Sequence, residues 1–380
     1  MMLVVAPALA LTLDEAVQRA AEVDPGAVVA TLSWKQAQLD AAERWSGVLA
    51  TAQLGWQSTS LGGVTTDTSN FTLSSGALDP QAYFDAAEQS AQARSARHSA
   101  DATTLDAQYA AAVLYHSVLS AEAALLAAQQ GEEVAQATLA AVKARVAAGL
   151  DSELVGRSAE AAALLARADR ASADSLVRVS RLQLARALSM PASDLGALAE
   201  PADALLPGDS MASPYLDAAR ESLAAARWEH GQDIAGLLPS GSLATSTALD
   251  PVDWRVTIGA TWTFDGLAGP FLRERNSALA VKIAETELDA ARRDLDLAID
   301  SARTQSRAAH DVAEAARARE ALAAESLKVG QLRLQAGLAS TLEVLLLQET
   351  LADARADRVA SELAEQVAIL EARRAAGERW

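Results

Sequence analysis

Cysteine is absent from all 380 residues. That excludes a disulfide framework, a thiolate nucleophile and a cysteine-ligated metal, and it is compatible with an oxidising compartment. Basic charge is scarce: the net charge is −18 and the pI is near 4.7. Nucleic acid is thereby excluded as a partner, because binding a phosphate backbone needs a basic face. Aromatic residues make up only 4% of the chain although 51% is hydrophobic. The apolar share is alanine and leucine, which favour long helices packed through many small contacts. No apolar run approaches the ~20 residues of a membrane-spanning helix. No G-x-x-x-x-G-K-[ST] loop and no H-E-x-x-H is present, so the chain carries no nucleotide-driven motor and no zincin-type metal site. No cofactor and no catalytic residue is expected. His98 and His116 stand 18 residues apart, roughly 27 Å along a helix, too far to share a metal. Both read as solvated helix histidines.

Proline is rare as well, and its placement draws the architecture. The ten prolines leave two empty stretches, between Pro80 and Pro191 and after Pro270. A proline inside a helix costs about 3 kcal/mol, so those stretches are the helical regions. Gly149 and Gly337 interrupt them at matching places. Each follows an alanine-rich run and precedes a capping residue, Asp151 or Ser152 in one case and Ser340 in the other. A glycine C-cap followed by a new N-cap is a helical hairpin. The first arms span about 81–148 and 271–336, the return arms about 152–190 and 341–376. At ~1.5 Å per residue the first arms are roughly 100 Å long. A shorter helix precedes each set, at 25–47 and 215–237. Short helix plus return arm nearly equals a long arm, so two full-length and two composite columns are expected.

The chain also repeats itself. Arg145-Val-Ala-Ala-Gly149-Leu150-Asp-Ser152 matches Arg333-Leu-Gln-Ala-Gly337-Leu338-Ala-Ser340 at an offset of 188. Arg167-Ala-Asp169-Arg170 matches Arg355-Ala-Asp357-Arg358 at the same offset, and Pro25 matches Pro214 at 189. One supersecondary unit is duplicated. The repeats run 11–200, with strands at about 48–78 and a hairpin at 81–190, and 201–380, with strands at about 240–265 and a hairpin at 271–376. Residues 1–10, MMLVVAPALA, read as the remnant of a secretory signal ending in Ala8-Leu9-Ala10. No cysteine follows it to carry a lipid anchor.

Between short helix and long arm the period changes to two. Trp254, Val256, Ile258, Ala260, Trp262 and Phe264 alternate with Arg255, Thr257, Gly259, Thr261 and Thr263. Val48, Ala50, Ala52, Leu54 and Trp56 alternate more weakly, as do residues 70–74. Two strands per half give four in all. Two readings of these strands stay open: a small antiparallel cap packed on the helices, or lipid-facing strands of about 9–11 residues that must share a barrel with other copies, because an open edge in lipid is unpaired.

The order of short helix, two strands, long helix, glycine hairpin and return helix, stated twice, resembles the TolC-type outer-membrane factors. Leu11-Thr-Leu13-Asp14-Glu15-Ala16-Val17 with Asp24-Pro25 is similar to their start, and Phe264-Asp265-Gly266 before Arg273 and Arg275 to their junction from strand to helix. The resemblance covers residues 11–376. It implies a mainly α fold with a small β part: an α-barrel of duplicated hairpins, with four strands per protomer in a shared transmembrane β-barrel of a homotrimer. It implies a passive export duct in the Gram-negative outer membrane with a periplasmic helical tunnel, working with a periplasmic adaptor and an inner-membrane pump of a tripartite efflux or type I secretion system. Trp254, Val256, Ile258, Trp262 and Phe264 would face outer-membrane lipid. Gly149, Leu150, Gly337, Leu338 and Ser340 would form adaptor-docking tips. Glu343, Asp151, Glu153, Arg333 and Arg145 would form the entrance gate. The family's second acidic ring is missing, since Leu346 stands one turn beyond Glu343 and Val155 stands at the equivalent site of the first hairpin. The alternative is a secreted or periplasmic coiled-coil scaffold or adhesin without a pore.

Overall fold

A computed structural model describes residues 10–61, 64–76, 78–201, 213–249, 252–261 and 269–378. Among them the elements run α1 (Leu13–Val23), α2 (Pro25–Leu49), β1 (Thr51–Leu61), β2 (Val64–Ser75), α3 (Pro80–Ala147), α4 (Glu153–Ala187), α5 (Pro214–Ala235), β3 (Ser240–Leu249), β4 (Val252–Thr261), α6 (Gly269–Gln335) and α7 (Thr341–Ala375). The fold is mainly α with one four-stranded sheet. The expected signal remnant, apart from Ala10, lies outside the described residues, as do Trp262 and Phe264.

The two long arms are single helices of 68 and 67 residues, and each return arm has 35. Several boundaries depart from the reading by pattern. Val48 and Ala50 do not open a strand. Val48 is a buried residue of α2, Ala50 bonds back to Ser46, and β1 starts at Thr51. β2 extends well beyond residues 70–74, because its polar Thr and Ser residues pair with β1 through backbone groups that carry no side-chain signature. A separate helix, α1, precedes the proline break at Pro25. Thr12 and Glu15 cap it reciprocally, with backbone-to-side-chain bonds of 3.3 and 3.0 Å.

The chain divides into two compact units, and each draws on both repeats. One comprises Met1–Pro25, Thr104–Met211 and Leu297–Trp380; the other comprises Gly26–Thr103 and Ala212–Asp296. In the first unit Tyr115 is fully buried among Ala16, Ala20, Ala111, Val118, Leu184, Leu188 and Leu195. Its hydroxyl lies 2.8 Å from the Leu11 carbonyl and 2.5 Å from that of Ala199. Leu11 and Leu198 form a short parallel bridge there. This knot holds α1 and the loop after α4 against α3. A second cluster joins α6 to α7 through Ala323, Leu327, Val344, Leu351 and Ala354. Each fully buried leucine or valine is worth about 1.5–3 kcal/mol. In the second unit Leu216 and Leu223 of α5 pack on Leu288 of α6.

Many of the buried residues are alanines. α3 contains an 18-residue stretch with mean hydropathy 1.5, apolar enough by composition to cross a membrane. This corrects the expectation that no such run exists. The same helix supplies Ala111, Ala112, Tyr115 and Val118 to the core.

Candidate functional site

Ion pairs tie each long arm to its return arm. In the first hairpin Glu122 pairs with Arg181 at 2.6 Å and Glu132 with Arg170 at 2.9 Å. In the second, Glu320 pairs with Arg358 at 2.5 Å and Arg355 at 3.3 Å. Glu132–Arg170 and Glu320–Arg358 are the same pair in the repeat register, both members displaced by 188. The run from Glu314 to Arg319, which in sequence reads as a solvated coiled-coil face with i,i+4 pairs, pairs across helices instead. Arg317 and Arg319 reach across to Glu362, Glu365 and Asp357 of α7.

Both hairpins turn through the same backbone. Gly149 and Gly337 have φ of 72° and 73°, a left-handed conformation that costs a residue with a Cβ roughly 1–2 kcal/mol. The next amide reaches back to the carbonyl five residues earlier, Leu150 to Arg145 at 2.9 Å and Leu338 to Arg333 at 2.8 Å. Gly149 and Gly337 bond to Val146 and Leu334, both at 3.0 Å. These are paired Schellman closures. Ser152 and Ser340 then cap α4 and α7, accepting from the amides of Val155 and Glu343. Leu150 and Leu338 are 68% and 71% exposed.

The charges at the tips are wired differently. Asp151 accepts from Arg145 Nε at 2.7 Å and from Thr341 Oγ1 at 2.8 Å. One carboxylate thus joins the first turn to the start of α7. The Arg145 bond holds its pKa below the usual carboxylate range, with a smaller contribution from Thr341 against the opposing effect of burial. Among the described residues Glu343 pairs with Arg333, at 3.3 Å, within the second hairpin. Glu153 joins none of these groups; it makes an exposed pair with Arg157 one turn on. The structure therefore brings together Arg145, Asp151 and Thr341, and separately Arg333 and Glu343. Thr341 was missed by sequence reasoning because its role depends on the approach of two hairpins 190 positions apart.

In the other unit the sheet is antiparallel in the order β1-β2-β3-β4. Its register collects the apolar residues on one face. Leu54, Phe71, Thr247 and Trp254 lie in one row, Ala52, Leu73, Thr245 and Val256 in the next, and Leu243 and Ile258 beyond. The opposite face holds Gln53, Gly55, Asn70, Thr72, Ser246, Arg255, Thr257 and Gly259. The apolar face is uncovered: Ile258 is 76% exposed, and Trp254, Val256, Leu54 and Trp56 are similarly open. A cap packed on the helices would bury that face. Each strand has 10–12 residues, enough to cross a bilayer when tilted.

The flanking helices follow the strands in order. α2 meets α3 through Arg44–Asp85 and Trp45–Ser90, α3 meets α5 through Arg94–Glu221 and Ser95–Ser222, and α5 meets α6 through Arg227–Glu285. The outer members of this row keep apolar residues in solvent, Val29, Leu32 and Leu39 on α2, and Phe271, Leu272, Leu279 and Ile283 on α6. Among the described residues, sheet and helix row are both open at their edges.

Of the two histidines read as solvated, His116 is not. His116 is 6% exposed and its Nε2 has no partner, so burial pushes its pKa down. His230 lies 3.1 Å from Ser277 Oγ and His310 lies 2.6 Å from Glu365.

No protein-family model and no curated protein matches the sequence. Solved structures do match the fold. The outer membrane protein VceC from Vibrio cholerae superposes with a TM-score of 0.85 at 16% identity, over 96% of each chain. CusC superposes at 0.82 and 16% identity over 97% of this chain and 92% of that one. The open-state MtrE outer membrane channel of Neisseria gonorrhoeae superposes at 0.82 and 19% identity, over 96% and 89%. The chain has the fold of TolC-type outer-membrane channels.

Proposed function

We propose that this chain is the outer-membrane export duct of a tripartite efflux or type I secretion system. It is a homotrimer in the Gram-negative outer membrane, with its helices forming a tunnel in the periplasm. The observation that carries this reading is the sheet: four strands of membrane-crossing length, apolar on one uncovered face, polar on the other and unclosed at both edges. Four strands cannot close alone, and an open edge in lipid leaves backbone groups unpaired. Three copies would close one barrel, with Trp254, Val256 and Ile258 toward lipid and Thr257 toward water. The exposed apolar residues on the outer helices α2 and α6 would meet the neighbouring copies. Outer-membrane location and a non-enzymatic role follow from the same reading, and the fold shared with outer-membrane channels supports it.

Within this reading the hairpin tips are the entrance. Asp151, held by Arg145 and Thr341, latches one tip to the other, and Glu343, paired with Arg333, is the carboxylate that three-fold symmetry would gather at the entrance. Leu150 and Leu338, exposed beside their glycines, dock a periplasmic adaptor that connects to an inner-membrane pump.

Two measurements test the duct. Mass determination in detergent should give three copies, and a stable folded monomer would overturn the assembly. Ile258→Lys should cost about 2–4 kcal/mol in lipid if it lies near the bilayer midplane, and Thr257→Lys much less. Equal losses at both positions would mean the sheet does not face lipid.

A further inference from the structure

Glu365 is a buried carboxylate between α6 and α7, with the residue 7% exposed. Its Oε1 lies 2.6 Å from Nδ1 of His310, and its Oε2 accepts from Arg317 at 3.0 Å. His310 and Arg317 stand seven residues apart on α6, two turns along one face. Both therefore reach the same acid on α7. A carboxylate can only accept, so Nδ1 carries the hydrogen whether the ring is neutral or charged. Protonation elsewhere on the ring leaves that bond in place and strengthens it by adding charge.

The first hairpin has no such group at the corresponding position. In the repeat register the place of His310 is taken by Glu122, which Arg181 holds through two bonds of 2.6 and 2.9 Å. An arginine does not lose its charge in a protein, whereas an imidazole titrates near neutrality. The duplicated hairpins thus carry a pH-indifferent brace on one side and a titratable one on the other.

We propose that His310, Glu365 and Arg317 form a pH-graded clamp that holds α7 against α6 more tightly as the surroundings acidify. The charges acting on His310 are Glu365 from α7 and Glu314 and Asp311 from its own helix, all negative. The Glu365 hydrogen bond is the largest influence, and it lifts the imidazole above its ordinary 6.5. A group that binds its proton more tightly when folded adds stability below its unfolded pKa, and that stability fades as pH rises through the folded pKa. The clamp is therefore full below about 6.5 and weakens on the alkaline side. It concerns the packing of one helix on another and stands whether or not the chain forms a duct.

Histidine-selective NMR and hydrogen exchange on the full-length protein in detergent test the clamp. His310 should titrate above 6.5. Exchange across residues 306–320 and 358–369, corrected for intrinsic rates, should slow by at least about threefold between pH 8.5 and 5.5. The level of Glu122 and Arg181 should show no such change. His310→Gln should abolish the pH dependence, and His310→Arg should hold exchange slow at both pH values. A His310 pKa at or below 6.5, or a pH dependence that survives His310→Arg, would overturn the clamp.

Discussion

The two hairpin tips share a backbone and differ in their charges. Gly149 and Gly337 have φ angles one degree apart, and the Schellman bonds and serine caps correspond. Yet Asp151 corresponds to Ala339 and Glu343 to Val155. Duplication preserved what the turn requires, a glycine in a left-handed conformation and a capping hydroxyl. It did not preserve the carboxylates, because no backbone geometry depends on them. One tip grips its neighbour, Asp151 to Thr341, while the other pairs with itself, Glu343 to Arg333. The difference separates residues that build a hairpin from residues that connect hairpins.

The sharpest test of that separation is Asp151→Ala. It removes two charge-assisted bonds at once and should cost about 2 kcal/mol in denaturant unfolding. Glu343→Ala breaks one exposed pair and should cost no more than about 0.5 kcal/mol. Comparable losses would mean the tips are wired alike. The Asp151 contribution should also depend on pH. Its folded pKa is depressed, so the contribution is present above the usual carboxylate value of 3.8 and is lost as pH falls through the folded pKa. Asp151→Asn should flatten that acid limb.

Gly149→Ala and Gly337→Ala probe the shared part. Each should cost about 1 kcal/mol, equal within error, since both force a Cβ into positive φ. A marked inequality would show that the turns are not equivalent. Leu150→Asp and Leu338→Asp should each change stability by less than about 0.5 kcal/mol, because neither side chain is buried. If the tips dock an adaptor, the double substitution should abolish export in cells while leaving the oligomer intact. Retained export would remove both leucines from the contact. The smallest effect should come from the histidines of the two long arms. His116 of α3 is buried without a partner and its pKa is lowered, so acid below about 6.5 should erode its stability contribution. His116→Leu should remove that erosion without altering the opposite trend expected from His310. A single pH response shared by both arms would contradict the contrast.

Much of this protein could be read from residue order alone. The two long helices followed from where proline is missing and the hairpins from Gly149 and Gly337, local chemistry written in a few consecutive residues; the internal repeat followed from matches at an offset of 188 to 189. The alternation from Trp254 to Ile258 marked an amphipathic strand for the same reason. Tertiary structure decided the rest, because it depends on which distant segments meet. Strand register placed Leu54, Phe71 and Trp254 on one face. The approach of the tips made Thr341 the partner of Asp151. The packing of α7 on α6 gave the exposed His310 a buried carboxylate as partner, and burial in α3 isolated His116, which had read as solvated. Propensity and capping act within a few residues along the chain, whereas burial and ion pairing depend on separations through space that a one-dimensional pattern does not encode.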